Sequence, residues 1–129
     1  MTWQAFMTIA TAVSVVTGVG GLLAPAQLAS VFGVALDDVG LSQARLLGAA
    51  YIGYGVITWF GRETRDNAAL RAITLGNLVG WSLGLIVGVV AIVSGLGTAQ
   101  TWLLFALQVA FAAAWGYFAV AERHEVAPT

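Results

Sequence analysis

Residues 68–94 read AALRAITLGNLVGWSLGLIVGVVAIVS, and a single charged side chain, Arg71, interrupts this apolar run. A helix rises about 1.5 Å per residue, so roughly 20 apolar residues cross the ~30 Å hydrocarbon core of a bilayer. Backbone groups in lipid must form their hydrogen bonds internally, which a run of this length does as a helix. The stretch therefore predicts a transmembrane α-helix.

Three further stretches have the same character, at about 3–24, 41–60 and 101–120. The chain is 60% hydrophobic and 9% charged, with a net charge of -1, and a soluble domain of this size needs a far more charged surface. The alternating pattern of a membrane β-barrel is absent. We therefore predict one all-α domain, 1–129, that forms an integral membrane four-helix bundle with a loop at 61–67 and a tail at 121–129.

The basic residues predict the orientation of these spans. Arg62, Arg65 and Arg71 lie around the loop between spans two and three, whereas the connections on the other side carry only acidic charge or none. Basic loops are retained in the cytoplasm, which predicts a multi-pass protein of the bacterial cytoplasmic (inner) membrane with both termini inside. The first span lacks the basic start and small-residue end of a signal peptide, so we expect it to be retained.

Residues 25–40 connect the first two spans, after Pro25 ends the first. Their apolar residues follow a helical spacing and predict a short interfacial helix: Leu28, Val31, Phe32, Ala35 and Leu36. The segment is either a surface connector or a lid over the bundle.

Four glycines in the third span, Gly76, Gly80, Gly84 and Gly88, form three overlapping G-x-x-x-G units, predicted to share one helix face. Small residues at this spacing let another helix backbone approach closely. The run indicates either a homo-oligomer interface or packing inside one bundle, and both interpretations stay open.

The first span carries hydroxyl groups at successive i+3 steps, at Thr8, Thr11, Ser14 and Thr17. Such groups commonly bond the preceding helical turn or a neighbouring helix, so packing is the first interpretation. A pore lining is the second, and it gives the hypothesis of a small homo-oligomeric transporter or channel.

Arg45 lies about one turn inside the second span, too deep for an ordinary loop charge. One interpretation is a structural clasp with Asp37 or Asp38, just before the span. The other is an anion or carbonyl anchor, because the planar guanidinium suits a lipid headgroup.

Further polar side chains lie inside the predicted spans, where each needs a partner. Structural interhelical bonds, worth about 1 kcal/mol each, are sufficient. Alternatively, the groups converge on one apolar pocket with polar tips, typical of a small-molecule site. The candidate ligand-binding residues are Arg45, Tyr51, Tyr54, Asn77, Trp81 and Gln108. The first functional hypothesis is a non-catalytic membrane module that binds an apolar or lipid-like ligand, or that serves a partner membrane protein as an accessory subunit.

Several chemistries find no support in the sequence. Without Cys or Lys there is no thiol or Schiff-base chemistry. His124 is the single His, and its neighbours Glu122 and Glu125 point in different directions on a helix, so we expect no metal site. No nucleophile–base pair occurs at membrane depth. We expect no catalytic residue, no cofactor and no nucleic-acid partner, and an enzyme is the less favoured interpretation; the expected partners are membrane lipid and further copies or subunits.

Residues 20–25 read GGLLAP, Phe32 and Gly33 follow, and residues 45–48 read RLLG ahead of a glycine-containing apolar helix and Arg62. This layout resembles small four-span bacterial membrane proteins of the loose DoxX-like group, over the first half of the chain. The resemblance implies an accessory membrane subunit of a quinone-linked oxidoreductase, similar in layout to eukaryotic four-span sterol-binding and chaperone-like proteins. It supplies no catalytic residue and points only to Pro25, Gly33, Arg45 and Gly48. A quinone-associated membrane subunit is therefore the third hypothesis.

Overall fold

The computed structural model describes residues 2–96 and 98–125. These residues form helices joined by short connections, with no strand among them. The helices are α1 (Trp3–Leu23), α2 (Pro25–Val31), α3 (Asp38–Gly61), α4 (Asn67–Ala91) and α5 (Ala99–Glu125). Residues Ile92–Leu96 follow α4 and contain a kink at Gly95, whose backbone is not helical. The predicted all-α class is confirmed.

Three helices are long and apolar enough to cross a membrane: Trp3–Leu23, Asn67–Gly95 and Ala99–Val120. They agree with three of the predicted spans to within a few residues. Helix α3 has 24 residues and therefore sufficient length, but Gln43, Arg45 and two tyrosines lower its hydropathy, and it is not among the three. The second predicted span is thus a helix whose crossing of the membrane stays a prediction.

Local sequence signals explain where α3 and α4 begin and where the apolar run of α4 ends. Asp37 Oδ1 accepts a hydrogen bond from the Gly40 N–H at 2.7 Å, and Asp66 Oδ2 accepts one from the Ala69 N–H at 2.9 Å. Each carboxylate caps a backbone donor that has no partner in the first helical turn. Gly95 has a φ of 79°, a left-handed conformation that favours glycine and interrupts the helix.

The connection between α1 and α3 differs from its predicted form. Helix α2 stops at residue 31, so Ala35 and Leu36, predicted to continue its apolar face, lie outside the helix. The cause is Gly33, whose φ of 71° is left-handed. The N–H groups of Gly33 and Val34 bond carbonyls of the last turn of α2 at 3.0 and 3.1 Å, which is the Schellman pattern of helix termination.

The chain divides into two compact units, Met1–Thr64 and Arg65–Thr129. In the first unit α1 and α3 pack antiparallel, and we call this pair the first hairpin. In the second unit α4 packs against α5, and we call this pair the second hairpin. The candidate site residues are therefore considered hairpin by hairpin.

Candidate functional site

The first hairpin is held by direct contact between two helix backbones. A Cβ atom at Gly48 would lie 2.6 Å from the Leu22 nitrogen and 2.7 Å from the Gly18 oxygen. A Cβ atom at Gly18 would lie 2.8 Å from the Gly48 oxygen, and one at Gly21 would lie 3.1 Å from the Ala44 oxygen. Only glycine permits this approach of two helix backbones.

The sequence pattern does not single out these glycines, because none of the spacings between them is the four residues of G-x-x-x-G. Gly18 and Gly21 are three residues apart, and Gly48 and Gly55 are seven apart. Of the four residues to which the family resemblance points, Gly48 is the one at this contact. The sequence feature that could have indicated this contact is a row of small residues on one face of each helix. Ser14, which is also buried, belongs to this row on α1.

Hydroxyl groups connect the same two helices. Thr58, fully buried, lies with its Oγ1 3.0 Å from the Gly55 oxygen and 3.2 Å from the Tyr54 oxygen. The Thr11 and Thr58 hydroxyls share a hydrogen bond across the 2.8 Å between their Oγ1 atoms. This bond therefore joins α1 to α3.

Two other hydroxyls of the stripe on α1 bond their own helix. Thr8 Oγ1 donates to the Gln4 oxygen at 2.8 Å, and Ser14 Oγ donates to the Ala10 oxygen at 2.7 Å. Three of the four hydroxyls thus have protein partners, which favours the packing interpretation of the stripe over the pore interpretation.

Substitution of Thr11 by Val is expected to destabilise the first hairpin by about 1 kcal/mol, the usual size of an interhelical hydrogen bond in a membrane protein. Thr8→Val is the matched control, because Thr8 is exposed and bonds only its own helix. Unfolding in detergent micelles with increasing dodecyl sulfate measures the difference. Equal stability of the two variants would contradict the assignment of the Thr11–Thr58 bond.

Aromatic and charged groups meet at the end of the first hairpin that leads into the loop at 61–67. The Trp3 indole Nε1 donates to the Gly61 oxygen at 3.2 Å, satisfying a carbonyl at the end of α3. The Arg62 guanidinium lies 3.3 Å from the centre of the Trp59 ring and pairs with Glu63 at 3.0 Å. Amphipathic rings beside a cation suit a membrane–water boundary.

In the second hairpin the predicted candidate Gln108 lies against the glycines of α4. A Cβ atom at Gly84 would lie 3.3 Å from Gln108 Nε2, and one at Gly88 would lie 3.1 Å from Gln108 Oε1 and from Phe105 Cδ2. By contrast, a Cβ atom at Gly76 or Gly80 would meet no heavy atom within 4 Å. Half of the glycine run therefore packs inside the hairpin, and the other half is open.

This difference has a geometric cause. Residues four apart on a helix are rotated by about 40°, so the twelve residues from Gly76 to Gly88 drift by roughly 120° around the axis. Gly84 and Gly88 therefore lie against α5, whereas Gly76 and Gly80 do not. Packing inside the hairpin applies to Gly84 and Gly88, and a homo-oligomer interface at Gly76 and Gly80 stays a prediction.

Trp81, another predicted candidate, stacks on Phe111 with 4.6 Å between ring centroids and 11° between ring planes. Phe111 is a site residue that the sequence pattern missed, because nothing local distinguishes it from the other aromatic residues of α5. The Asn77 side-chain Nδ2 donates to the Ile73 oxygen of its own helix at 2.7 Å. The structure thus places Trp81 and Gln108 at the α4–α5 contact and joins the Asn77 amide to the preceding turn of α4.

The remaining candidates, Arg45, Tyr51 and Tyr54, lie on α3 in the first hairpin. Both tyrosines are half-buried, whereas Arg45 is exposed. The predicted clasp between Arg45 and an aspartate is not formed, since Arg45 makes no ion pair within the described part of the chain and Asp37 caps α3 instead. The six candidates therefore fall into two groups of three, and their convergence on one pocket stays a prediction.

The side chains of Glu122, His124 and Glu125 lie outside those that the structure describes. Among residues 2–96 and 98–120, no three His, Asp or Glu side chains are grouped so as to hold a metal ion. Comparison of the chain with protein-family models, with curated proteins and with solved structures finds no match in any of the three.

Proposed function

We propose that this chain is a four-span integral membrane bundle that works by binding other membrane components and carries no catalytic centre. Three helices have the length and composition for this, and each hairpin supplies two antiparallel segments. The inner-membrane location with both termini in the cytoplasm belongs to the same proposal and rests on the arginines around the loop at 61–67. Membership of the DoxX-like group likewise stays part of the proposal.

The packing of α3 supports its assignment as the fourth span. Contacts between α1 and α3 extend from Trp3 and Gly61 at one end to Gly21 and Ala44 at the other. Helix α3 therefore accompanies the whole length of α1, which is itself long and apolar enough to cross. A 24-residue helix measures about 36 Å, enough for a ~30 Å hydrocarbon core.

One observation carries the binding function: in the most apolar stretch of the helix at 67–95, no residue is buried. Six of the exposed positions of α4 follow the alternating four- and three-residue spacing of a helix-pairing seam: Ala72, Gly76, Val79, Leu83, Ile86 and Val90. Gly76 and Gly80 are open at the same part of the helix. Such a face suits close approach by another membrane helix.

We assign this face to α4 of a second copy of the chain. Around a two-fold axis along the membrane normal, the small residues Ala72, Gly76 and Gly80 would meet their own equivalents, and so would the larger residues beyond them. A self-complementary seam of this kind is what an isologous dimer needs. The protein would then act as a homo-oligomeric membrane module.

Cysteine crosslinking in native membranes tests this assignment, because the chain contains no Cys and each variant carries one thiol. Leu83→Cys is expected to form a disulfide-linked dimer. Leu85→Cys is the control, because Leu85 is half-buried on the face that carries Trp81 toward α5, and it is expected to stay monomeric. In the Leu83→Cys background, Gly80→Ile should lower dimer yield roughly fivefold by blocking backbone approach.

If Leu83→Cys formed crosslinks to a different protein, the partner of this face would be that protein and not a second copy. The chain would then be an accessory subunit. Equal crosslinking at Leu83 and Leu85 would indicate random collision between chains, and no crosslinking at either would indicate no contact between copies. In both cases the open face would contact lipid alone. Gly80→Ile should not destabilise the second hairpin, since a Cβ atom there meets nothing within 4 Å.

A second candidate function, binding of a lipid-like ligand, is favoured by Arg45, which is exposed on a proposed span without an acidic partner among the described residues. The transporter hypothesis is less favoured, because the hydroxyls of Thr8, Thr11 and Ser14 bond protein atoms. The quinone-subunit hypothesis rests on the family resemblance alone.

A further inference from the structure

Two opposite charges on the outer surface of α3 have no protein partner in the part of the chain that the structure describes. Arg45 and Asp38 are both exposed, and neither takes part in an ion pair or side-chain hydrogen bond there. The neighbouring Asp37 is engaged by the Gly40 N–H at 2.7 Å. Both charges therefore remain available to a molecule outside the chain.

These two residues share one face of the helix. They are seven positions apart, which is close to two full turns and about 10 Å along the axis. Ser42, also exposed, lies between them on the same face, one turn from Arg45. The face thus presents, in order from the start of α3, a carboxylate, a hydroxyl and a guanidinium.

The depth of Arg45 in the proposed span brings its side chain to the headgroup region. The helix exceeds a ~30 Å core by about 6 Å, so the Arg45 Cα lies roughly 7 Å inside the nearer boundary if the helix is centred. Helical side chains lean toward the helix N-terminus, which here is also the nearer boundary. An extended guanidinium snorkels in this direction and reaches the level of lipid phosphates.

The chemistry of the face points to a zwitterionic headgroup. A guanidinium binds two phosphate oxygens in a planar fork. The carboxylate of Asp38 lies further out, where a purely anionic headgroup would be repelled and a primary ammonium group would be attracted. Leu46 and Leu47, which are 68% and 58% exposed, lie next to Arg45 around α3, deeper in the proposed span, and suit acyl chains.

We propose that Arg45 and Asp38 bind the headgroup of a phosphatidylethanolamine-type lipid, with its phosphate on Arg45 and its ammonium group on Asp38. The inference rests on the proposed membrane crossing of α3 and gives the chemical class of the lipid-like ligand. It is independent of the pairing of α4.

Thermal unfolding of the delipidated full-length protein in detergent, titrated with dioleoyl phospholipids, tests the proposal. Phosphatidylethanolamine is expected to stabilise the protein at lower concentration than phosphatidylglycerol or phosphatidylcholine. Arg45→Gln should weaken its apparent affinity roughly tenfold, and Arg45→Lys should recover part of the loss. Asp38→Asn should reduce the preference for phosphatidylethanolamine over phosphatidylglycerol. The control is Arg71→Gln, an exposed arginine on α4, for which no change is expected.

Unchanged affinity in Arg45→Gln, or an unchanged lipid preference in Asp38→Asn, would overturn the proposal. Glycerophosphoethanolamine, the headgroup without acyl chains, distinguishes a free anion site from a lipid site. Equal stabilisation by this compound at the same concentration would overturn the assignment to a membrane lipid.

A second measurement separates this proposal from the four-span architecture. Gly53 lies near the middle of α3 with no heavy atom within 4 Å of a Cβ position, so Gly53→Cys is tolerated sterically. In membranes its thiol should resist water-soluble maleimides. A protected thiol with unchanged lipid affinity in Arg45→Gln would overturn only the headgroup site, whereas a reactive thiol would overturn the crossing of α3.

Discussion

Replacement of Gly48 by Ala is expected to lower the free energy of unfolding of the first hairpin by about 2–3 kcal/mol, the usual cost of forcing extra volume into a packed contact. The new methyl group would lie within 2.8 Å of three backbone atoms of α1, at Gly18, Gly21 and Leu22. Backbone atoms cannot move aside as a flexible side chain can, so the two helices must separate. Unfolding in detergent with dodecyl sulfate, followed by circular dichroism, measures the loss.

The same helix supplies a matched control for which the expected change in the free energy of unfolding has the opposite sign. Gly53→Ala adds an identical methyl group where nothing lies within 4 Å. Because alanine is the better helix former, this variant should be more stable than the wild type by about 0.5–1 kcal/mol. If both alanine variants were stabilised, the close contact of α1 and α3 would be disproved.

A substitution of Gly18, which lies against Gly48, tests the same contact from the other helix. Gly18→Ala would place its methyl group 2.8 Å from the Gly48 oxygen and 2.7 Å from Ile52 Cγ1. Because the two substitutions disrupt one contact, Gly18→Ala combined with Gly48→Ala should cost clearly less than the sum of the single variants. Strict additivity would show that the two glycines act at separate places.

Replacement of Trp81 by Ala is expected to destabilise the second hairpin by about 2–3 kcal/mol, somewhat below the cost of the same change in a soluble core. The stack on Phe111 contributes about 1 kcal/mol of this, and the remainder is van der Waals contact that lipid chains replace only in part. The distance of 4.6 Å and the angle of 11° describe a close parallel stack. Removing a tryptophan changes the fluorescence of the protein itself, so unfolding is followed by circular dichroism instead.

Trp102→Ala is the control, because Trp102 is 55% exposed and touches Phe105 only edge-on, at 6.1 Å between centroids. Its cost should stay below about 1 kcal/mol. A double-mutant cycle with Trp81→Leu and Phe111→Leu should return a coupling energy of about 1 kcal/mol. Zero coupling would contradict the stack even if Trp81→Ala were destabilising.

In the candidate site, several contacts could not be predicted from sequence patterns. The glycine run of α4 was recognisable, yet its spacing of four does not tell which members face α5, because the row winds around the helix. Trp81 and Gln108 stood out as unusual residues in an apolar run, whereas Phe111 did not. For Arg45 the sequence favoured a clasp with Asp37 or Asp38, but Arg45 makes no ion pair among the described residues and Asp37 is used as a helix cap.

Hydropathy and turn signals were sufficient to predict the all-helical class, three apolar helices of membrane-spanning length and most helix boundaries. These properties are local, since hydropathy, a capping aspartate or a left-handed glycine acts within a few residues of its own position. Three contacts could be found only from the packed helices: Gly18 lies against Gly48, Thr11 is bonded to Thr58, and Gln108 lies against Gly84 and Gly88. Each of these depends on atoms of another helix, far away in the chain, and no pattern within one segment specifies which residues lie opposite it.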